Sequence, residues 1–197
     1  MSEHPGTELL GPVDAAGLKV GVVVAAYDRE ITEGLLAGAQ AVLGDADVEV
    51  VWVSGAFELP VAAQALISGG CEAVVALGAV VAGETDHYEH LARESIRGLQ
   101  DVMLQTGVPV GLGVLTVRDI LHAKERSIPG PNNKGGEAAE AAVRTARLLK
   151  KLRSRGCRFM GLGPHEHGDE GLSEEQDKYE AAEAAVRTAR LLQELRS

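Results

Sequence analysis

The chain holds 197 residues, 45% hydrophobic but only 3% aromatic, with a formal net charge of −10. That length accommodates one well-cored domain plus an appendage, and the core must be built from Ala, Val and Leu. The acidic balance argues against a nucleic-acid or anionic-membrane surface, because nothing would neutralise phosphate backbones or headgroups. No run approaches the length of a membrane span. Cys71 and Cys157 are widely separated and lack metal-type spacing, so a disulfide framework is not expected and a reducing compartment is. Residues 1–17 are polar, contain Pro and Gly, and lack an apolar signal core. They read as an N-terminal arm of a cytoplasmic protein.

Strand and helix signals then alternate. Lys19–Ala25 (KVGVVVA) is a continuous β-branched run, the pattern of a parallel strand covered on both faces. Ile31, Leu35, Leu36, Ala39 and Val42 recur at helical spacing. Residues 48–53 (VEVVWV) form the second expected strand, and Glu58-Leu59-Pro60 opens a helix, with proline tolerated in its first turn. Residues 73–77 are the third strand, 87–105 a helix, and 108–115 the fourth strand. Residues 119–126 read as a short helix and 137–153 as a long one. This alternation implies right-handed crossovers and a three-layer α/β/α sandwich around a four-stranded parallel sheet, flavodoxin-like in class. Ligands of such sheets bind beyond the carboxyl ends of the strands. Functional residues are therefore expected at Tyr27, at Phe57 and Glu58, in the turn 83–87, and near Leu112.

The end of the chain is unusual. Residues 137–154 (EAAEAAVRTARLLKKLRS) recur as 180–197 (EAAEAAVRTARLLQELRS), differing only at Lys150/Gln193 and Lys151/Glu194. Such a pair is a duplication, not a solenoid, which needs three or more diverged units. Both copies carry one apolar face and suit one groove. The first has the better electrostatics, because Lys150, Lys151 and Arg153 complement the negative end of the helix dipole. It is expected to hold the native position. Residues 155–179 are rich in Gly and acidic residues without apolar period, and read as a flexible linker. His165, Glu166, His167 and Asp169 lie within it; solvated polar residues are the preferred reading over a partial metal site.

The segment GAVVAGETDH, residues 78–87, carries the densest chemical signal. It leads an apolar strand through a glycine-bearing turn into a helix that opens beside a histidine. A phosphate would meet free backbone N–H groups at the helix start and a titratable imidazole within one turn.

Read in order, the post-strand segments resemble the lumazine synthase family. The matching text is AAYDREITEGLLAGA (25–39), VSGAFELPVAA (53–63), ALGAVVAGETDHYEHLA (76–92), TGVPVGLGVLT (106–116) and KERSIPGPNNKGGEAA (124–139). The resemblance covers about residues 15–154 and stops before the tail. It implies condensation of 5-amino-6-(D-ribitylamino)uracil with 3,4-dihydroxy-2-butanone 4-phosphate, giving 6,7-dimethyl-8-ribityllumazine and inorganic phosphate, without metal or organic cofactor. It also implies homopentamers in which each active site draws on two chains, and in some members icosahedral shells of sixty subunits.

Residue by residue, the resemblance implies that Tyr27 stacks on the pyrimidine, while Ala56, Phe57 and Glu58 line the ribityl chain. Val80 and Val81 offer backbone groups to the uracil edge, and Leu112 lies near the ring. Glu84, Thr85, Arg126 from an adjacent subunit, and Lys134 serve the phosphate. His87 relays protons, with Glu137 as its acidic partner. Plainer alternatives stand beside these: core packing for Tyr27 or His87, a helix-start carboxylate for Glu58, a solvated charge for Arg126. A metal site at His87 and His90 is not expected, since a third ligand is missing.

Some positions depart from the family pattern. Ala82 replaces an arginine, Asp86 a proline, and Leu112 a phenylalanine common among relatives; Asp28 stands where Asn or His is usual, and residues 128–131 rewrite a loop with two prolines. The first two weaken the expected anion cradle. The alternative reading, from the duplicated helix, is a self-assembling shell or scaffold protein with weak or no catalysis.

Overall fold

β1 (Lys19–Ala25), buried along nearly its whole length, is the spine of the fold. Its neighbours are β2 (Asp47–Val53) and β3 (Ala73–Val81), with β4 (Val110–Val117) beyond β3; every pairing is parallel, in the order β2-β1-β3-β4. The computed structural model describes residues 13–157. The linker and second helix copy inferred at 155–179 and 180–197 thus lie almost wholly outside the described residues, as do His165, Glu166, His167 and Asp169, and residues 1–12 of the N-terminal arm.

Successive residues of the central strands point to opposite faces, and each face has its own helices. On one side Val20, Val22, Val24, Val75 and Leu77 pack against α1 (Arg29–Leu43), α4 (Ile120–Ser127) and α5 (Lys134–Ser154). On the other, Val23, Val74, Ala76 and Val114 pack against α2 (Leu59–Ser68) and α3 (His87–Thr106). The three-layer α/β/α sandwich expected from the sequence is the one observed.

Three element boundaries differ from the sequence reading. β3 continues through Gly78 to Val81, because Gly78, Ala79, Val80 and Val81 pair in register with Val114, Leu115, Thr116 and Val117. The turn before α3 is therefore 82–86, not a turn beginning at Gly78. β4 is shifted to Val110–Val117, since the Val108 N–H bonds the Thr106 hydroxyl at 3.2 Å and Pro109 has no N–H to give a ladder. α5 starts three residues early, at Lys134, because Asn133 caps it by accepting from the Gly135 and Gly136 N–H groups at 2.9 and 3.1 Å.

The first copy of the repeated helix is the one that forms α5. Ala138, Ala139, Ala142, Val143 and Ala146 are its buried face. Its first turn lies so close to α1 that a Cβ on Gly135 would collide with the Leu35 backbone. At the far end, Lys150 Nζ donates to Glu72 Oε1 at 2.7 Å and Arg153 to the Gly107 carbonyl at 2.9 Å. At the positions equivalent to Asn133, Gly135, Gly136 and Lys150, the second copy carries Gln176, Lys178, Tyr179 and Gln193. These four residues are thus absent from the repeat, which keeps the apolar face and, in Arg196, the counterpart of Arg153.

The described part of the N-terminal arm is anchored: Ala15 is buried, and Arg147 donates to the carbonyls of Asp14 and Ala16 at 3.0 and 2.6 Å. Cys71 is buried and Cys157 exposed, neither in a disulfide, and burial pushes the Cys71 thiol up. No helix among the described residues is long and apolar enough to cross a membrane.

Gly135→Ala is expected to destabilise the protein by about 1–3 kcal/mol through this backbone clash, read as a lowered denaturant midpoint with unchanged slope. The Lys150 bond holds the Glu72 carboxyl below its ordinary value, against an opposing effect of desolvation. Its stabilisation is therefore present above the ordinary carboxyl range and lost as pH falls through the lowered folded value. The pair is partly exposed, so Lys150→Gln should cost at most about 1 kcal/mol near neutrality. That difference from wild type should vanish in acid; a gap that persists at low pH would assign it to packing instead.

Candidate active site

Chain connections leave β1 in one direction toward β2 and return on its other side through β3, so a crevice opens where β1 and β3 end side by side. A cavity of about 310 Å³ lies there. Its wall is assembled from three consecutive strand exits: Tyr27 after β1; Ser54, Gly55 and Ala56 after β2; and Ala79, Val80 and Val81 at the end of β3, with Gly83 and Thr85 in the following turn. His87, Tyr88 and Leu91 close it from the first turns of α3.

Local structure explains each placement. Asp28 takes a left-handed conformation (φ 50°), an uncommon one for a non-glycine residue, and turns the chain sharply from Tyr27 into α1. Tyr27 stays 64% exposed, so its ring presents a face to the crevice instead of filling the core. After β2 the chain makes one 3-10 turn, Ala56–Glu58, before α2. Glu58 Oε2 accepts from the Gly55 N–H at 2.9 Å, which fixes the rim formed by Ser54 to Ala56. His87 is the first residue of α3 and is exposed toward the cavity mouth. The N–H groups of His87 and Tyr88 have no intrahelical acceptor at this position, which gives the turn an excess of donors.

Electrostatically the crevice is poor in positive charge. Among the described residues no Lys or Arg lines the cavity. Glu84 and Asp86 flank Thr85 without a side-chain partner among the described residues, and Glu89 follows, accepting from the Tyr88 hydroxyl at 3.1 Å.

Of the residues singled out in the sequence, Tyr27, Ala56, Val80, Val81, Thr85 and His87 converge on this cavity. Glu84 belongs to the same turn but does not line it. Phe57 is 62% exposed and does not line the cavity, and Glu58 acts on the rim through its bond to Gly55. The remaining residues gather elsewhere on the chain. Leu112 is an exposed position of the edge strand β4, Arg126 is near the end of α4, and Lys134 and Glu137 open α5. Arg126 donates to the His122 carbonyl at 2.9 Å, and both Glu137 carboxylate oxygens accept from Lys134 Nζ at 2.7 Å. Within one chain Glu137 is thus partnered by lysine.

Ser54, Tyr88 and Leu91 line the cavity without having been singled out. Ser54 and Tyr88 adjoin residues that were, and the i, i+4 spacing of His87 and Leu91 puts both on one helix face. Among the described residues there is no cluster of three or more His, Cys, Asp or Glu able to hold a metal ion.

The residues that line the cavity all fall inside a match to a known family. Residues 17–150 match the 6,7-dimethyl-8-ribityllumazine synthase family. The chain belongs to that family. The 6,7-dimethyl-8-ribityllumazine synthase of Clavibacter sepedonicus is 46% identical over 78% of this chain and 99% of that protein. The protein of the same name from Clavibacter michiganensis subsp. michiganensis is also 46% identical, over 72% of this chain and 91% of its own length. The Leifsonia xyli subsp. xyli counterpart is 44% identical over 72% and 92%. The family match ends within α5.

Proposed function

We propose that the protein is a transferase of riboflavin biosynthesis. It condenses 5-amino-6-(D-ribitylamino)uracil with 3,4-dihydroxy-2-butanone 4-phosphate to 6,7-dimethyl-8-ribityllumazine and phosphate. The observation that carries this reading is the convergence of an exposed aromatic, a strand-end backbone, a donor-rich turn and a histidine on one crevice, in a chain of this family.

Tyr27 supplies the flat surface on which the pyrimidine stacks. The cavity-lining end of β3 at Val80 and Val81 meets the uracil edge, and Ala56 with the rim held by Glu58 lies along the ribityl chain; the exposed Phe57 follows the rim. The anion lies over Thr85 and the first N–H groups of α3, with Glu84 contributing through its backbone. His87, at the mouth, accepts and returns protons while the amine adds to the ketone, phosphate leaves and the second ring closes. General acid–base help of this kind contributes roughly 10²–10⁴-fold, and holding two substrates together supplies much of the rest.

Among the described residues of one chain the crevice has no lining cation for a phosphate ester, while Arg126, Lys134, Glu137 and Leu112 lie on elements outside it. The reading that joins them is a site shared between copies, at least a pentamer: the second copy presents Arg126, Lys134 and Leu112 to the crevice, and Glu137 to His87. Leu112, Leu121 and Ile128 form exposed apolar positions on β4, on α4 and just beyond it, which favours burial of this edge against another copy. Arginine suits the role because its planar fork pairs two phosphate oxygens at once.

Mixing purified protein with both substrates should give the fluorescent lumazine above the spontaneous rate, with light scattering reporting at least five chains. His87→Ala should lower kcat by about 10²-fold without abolishing turnover, and Arg126→Ala should raise KM for the phosphorylated substrate. A well-folded protein without turnover would move the reading to a shell or scaffold component, and a monomer with full activity would remove the shared site. Asp86→Asn removes an unpaired carboxylate beside the anion position. Inorganic phosphate should then bind about three- to eightfold more tightly, with the gain shrinking as salt is added. Unchanged phosphate affinity in calorimetry would place the anion elsewhere.

A further inference from the structure

We infer that Asn133 is a positioning residue for the phosphate-binding cations, an assignment that rests on the reading of Arg126 and Lys134 given above. Asn133 is only 2% exposed, yet every polar atom of its side chain is used. Its amide nitrogen donates to three carbonyls: Gly34 on α1 at 3.0 Å, Ser127 at 2.8 Å and Ile128 at 3.2 Å. Its amide oxygen accepts from the Gly135 and Gly136 N–H groups. One side chain thereby ties together α1, the end of α4 and the start of α5.

The two cations flank this knot. Arg126 immediately precedes Ser127, whose carbonyl Asn133 holds, and Lys134 immediately follows Asn133. The seat is prepared on α1 as well: a Cβ on Gly38 would overlap the Asn133 amide, and one on Gly34 would come within 2.5 Å of the Ser127 oxygen. The intervening residues 128–132 are exposed and contain Pro129 and Pro131, so few other contacts hold the two cations in a fixed relation. A guanidinium and an ammonium must be placed to within a fraction of an ångström to grip one phosphate, and a displacement of about 1 Å can cost on the order of 10²-fold. Neither cation is itself buried enough to be placed by packing.

The chemistry of the knot separates its two duties. Asn133→Asp keeps an oxygen for the α5 cap but has no N–H for the three carbonyls, whereas Asn133→Ser keeps only a shortened cap. Gly38→Ala leaves Asn133 intact and fills its seat. In the full oligomeric enzyme, Asn133→Asp should raise KM for 3,4-dihydroxy-2-butanone 4-phosphate about tenfold, while KM for the aminouracil changes less than about twofold. In an Arg126→Ala background the same substitution should add little, since what it positions is gone. Hydrogen exchange over residues 127–133 should rise in Asn133→Asp and in Gly38→Ala. Equal changes in both KM values, full additivity with Arg126→Ala, or unaltered exchange would each overturn the assignment. If Asn133→Asp fails to fold, Gly38→Ala and Asn133→Ser are judged by the same KM split. Absence of turnover in the wild-type protein would instead defeat the proposed reaction, and exchange together with calorimetric binding of inorganic phosphate would still test the clamp.

Discussion

The pairing of β1 with β3 is the constraint from which the rest follows. Five consecutive residues, Val20 to Val24, lie in parallel register with Ala73 to Leu77, and every one of these side chains except that of Gly21 belongs to a buried core. Two strands buried on both faces cannot shift by one residue without exchanging the side chains of the two helical layers. The register therefore fixes where each strand emerges, and so which residues meet in the crevice. Tyr27 and the turn before His87 lie far apart in sequence; they share a cavity because their strands end together.

Much of this architecture could be read in advance, because β1 is a pure β-branched run and the helices carry clean apolar spacing. Two of the misplaced boundaries involve glycines. Gly78 looked like a turn residue, yet it pairs with Val114 inside β3, where even an added Cβ would meet Ala25 and Leu59 only at ordinary contact distances. Gly135 and Gly136 looked like loop residues for the same reason, but they let α5 approach α1, and the cap at Asn133 supplies what their weak helix propensity lacks. Periodicity registers side chains, and where structure is decided by a missing side chain it has nothing to detect.

The site was legible in a different way. Some residues placed just beyond strand ends by the alternation of elements did converge where the chain's own strands bring them, as with Tyr27, Gly83, Thr85 and His87. Glu58 was expected along the ribityl chain, with a helix-start carboxylate as the plainer alternative; in the chain it accepts from the Gly55 N–H. Ser54, Tyr88 and Leu91 carry no distinctive chemistry and only geometry shows their place. Arg126, Lys134, Glu137 and Leu112 could not have been brought to the cavity by any intrachain rule, since they belong to the opposite layer and to the far edge of the sheet.

That division has an electrostatic logic. A pocket that held its own arginine beside Thr85 would bind phosphate in an isolated chain and would compete for it with Glu84 and Asp86. Here the half-site with the donors and the histidine is uncompensated and acidic, while the half with the cations holds them provisionally, Arg126 on the His122 carbonyl and Lys134 on Glu137. Both holding interactions are exposed and so weak, on the order of 1 kcal/mol or less, and a phosphate dianion can displace them at little cost. On the proposed shared site, joining the halves would neutralise charge on both sides, so assembly and substrate binding would reinforce one another. The rigid element in this exchange is the buried asparagine between the two cations, which lets their side chains change partners while their backbone stays in place.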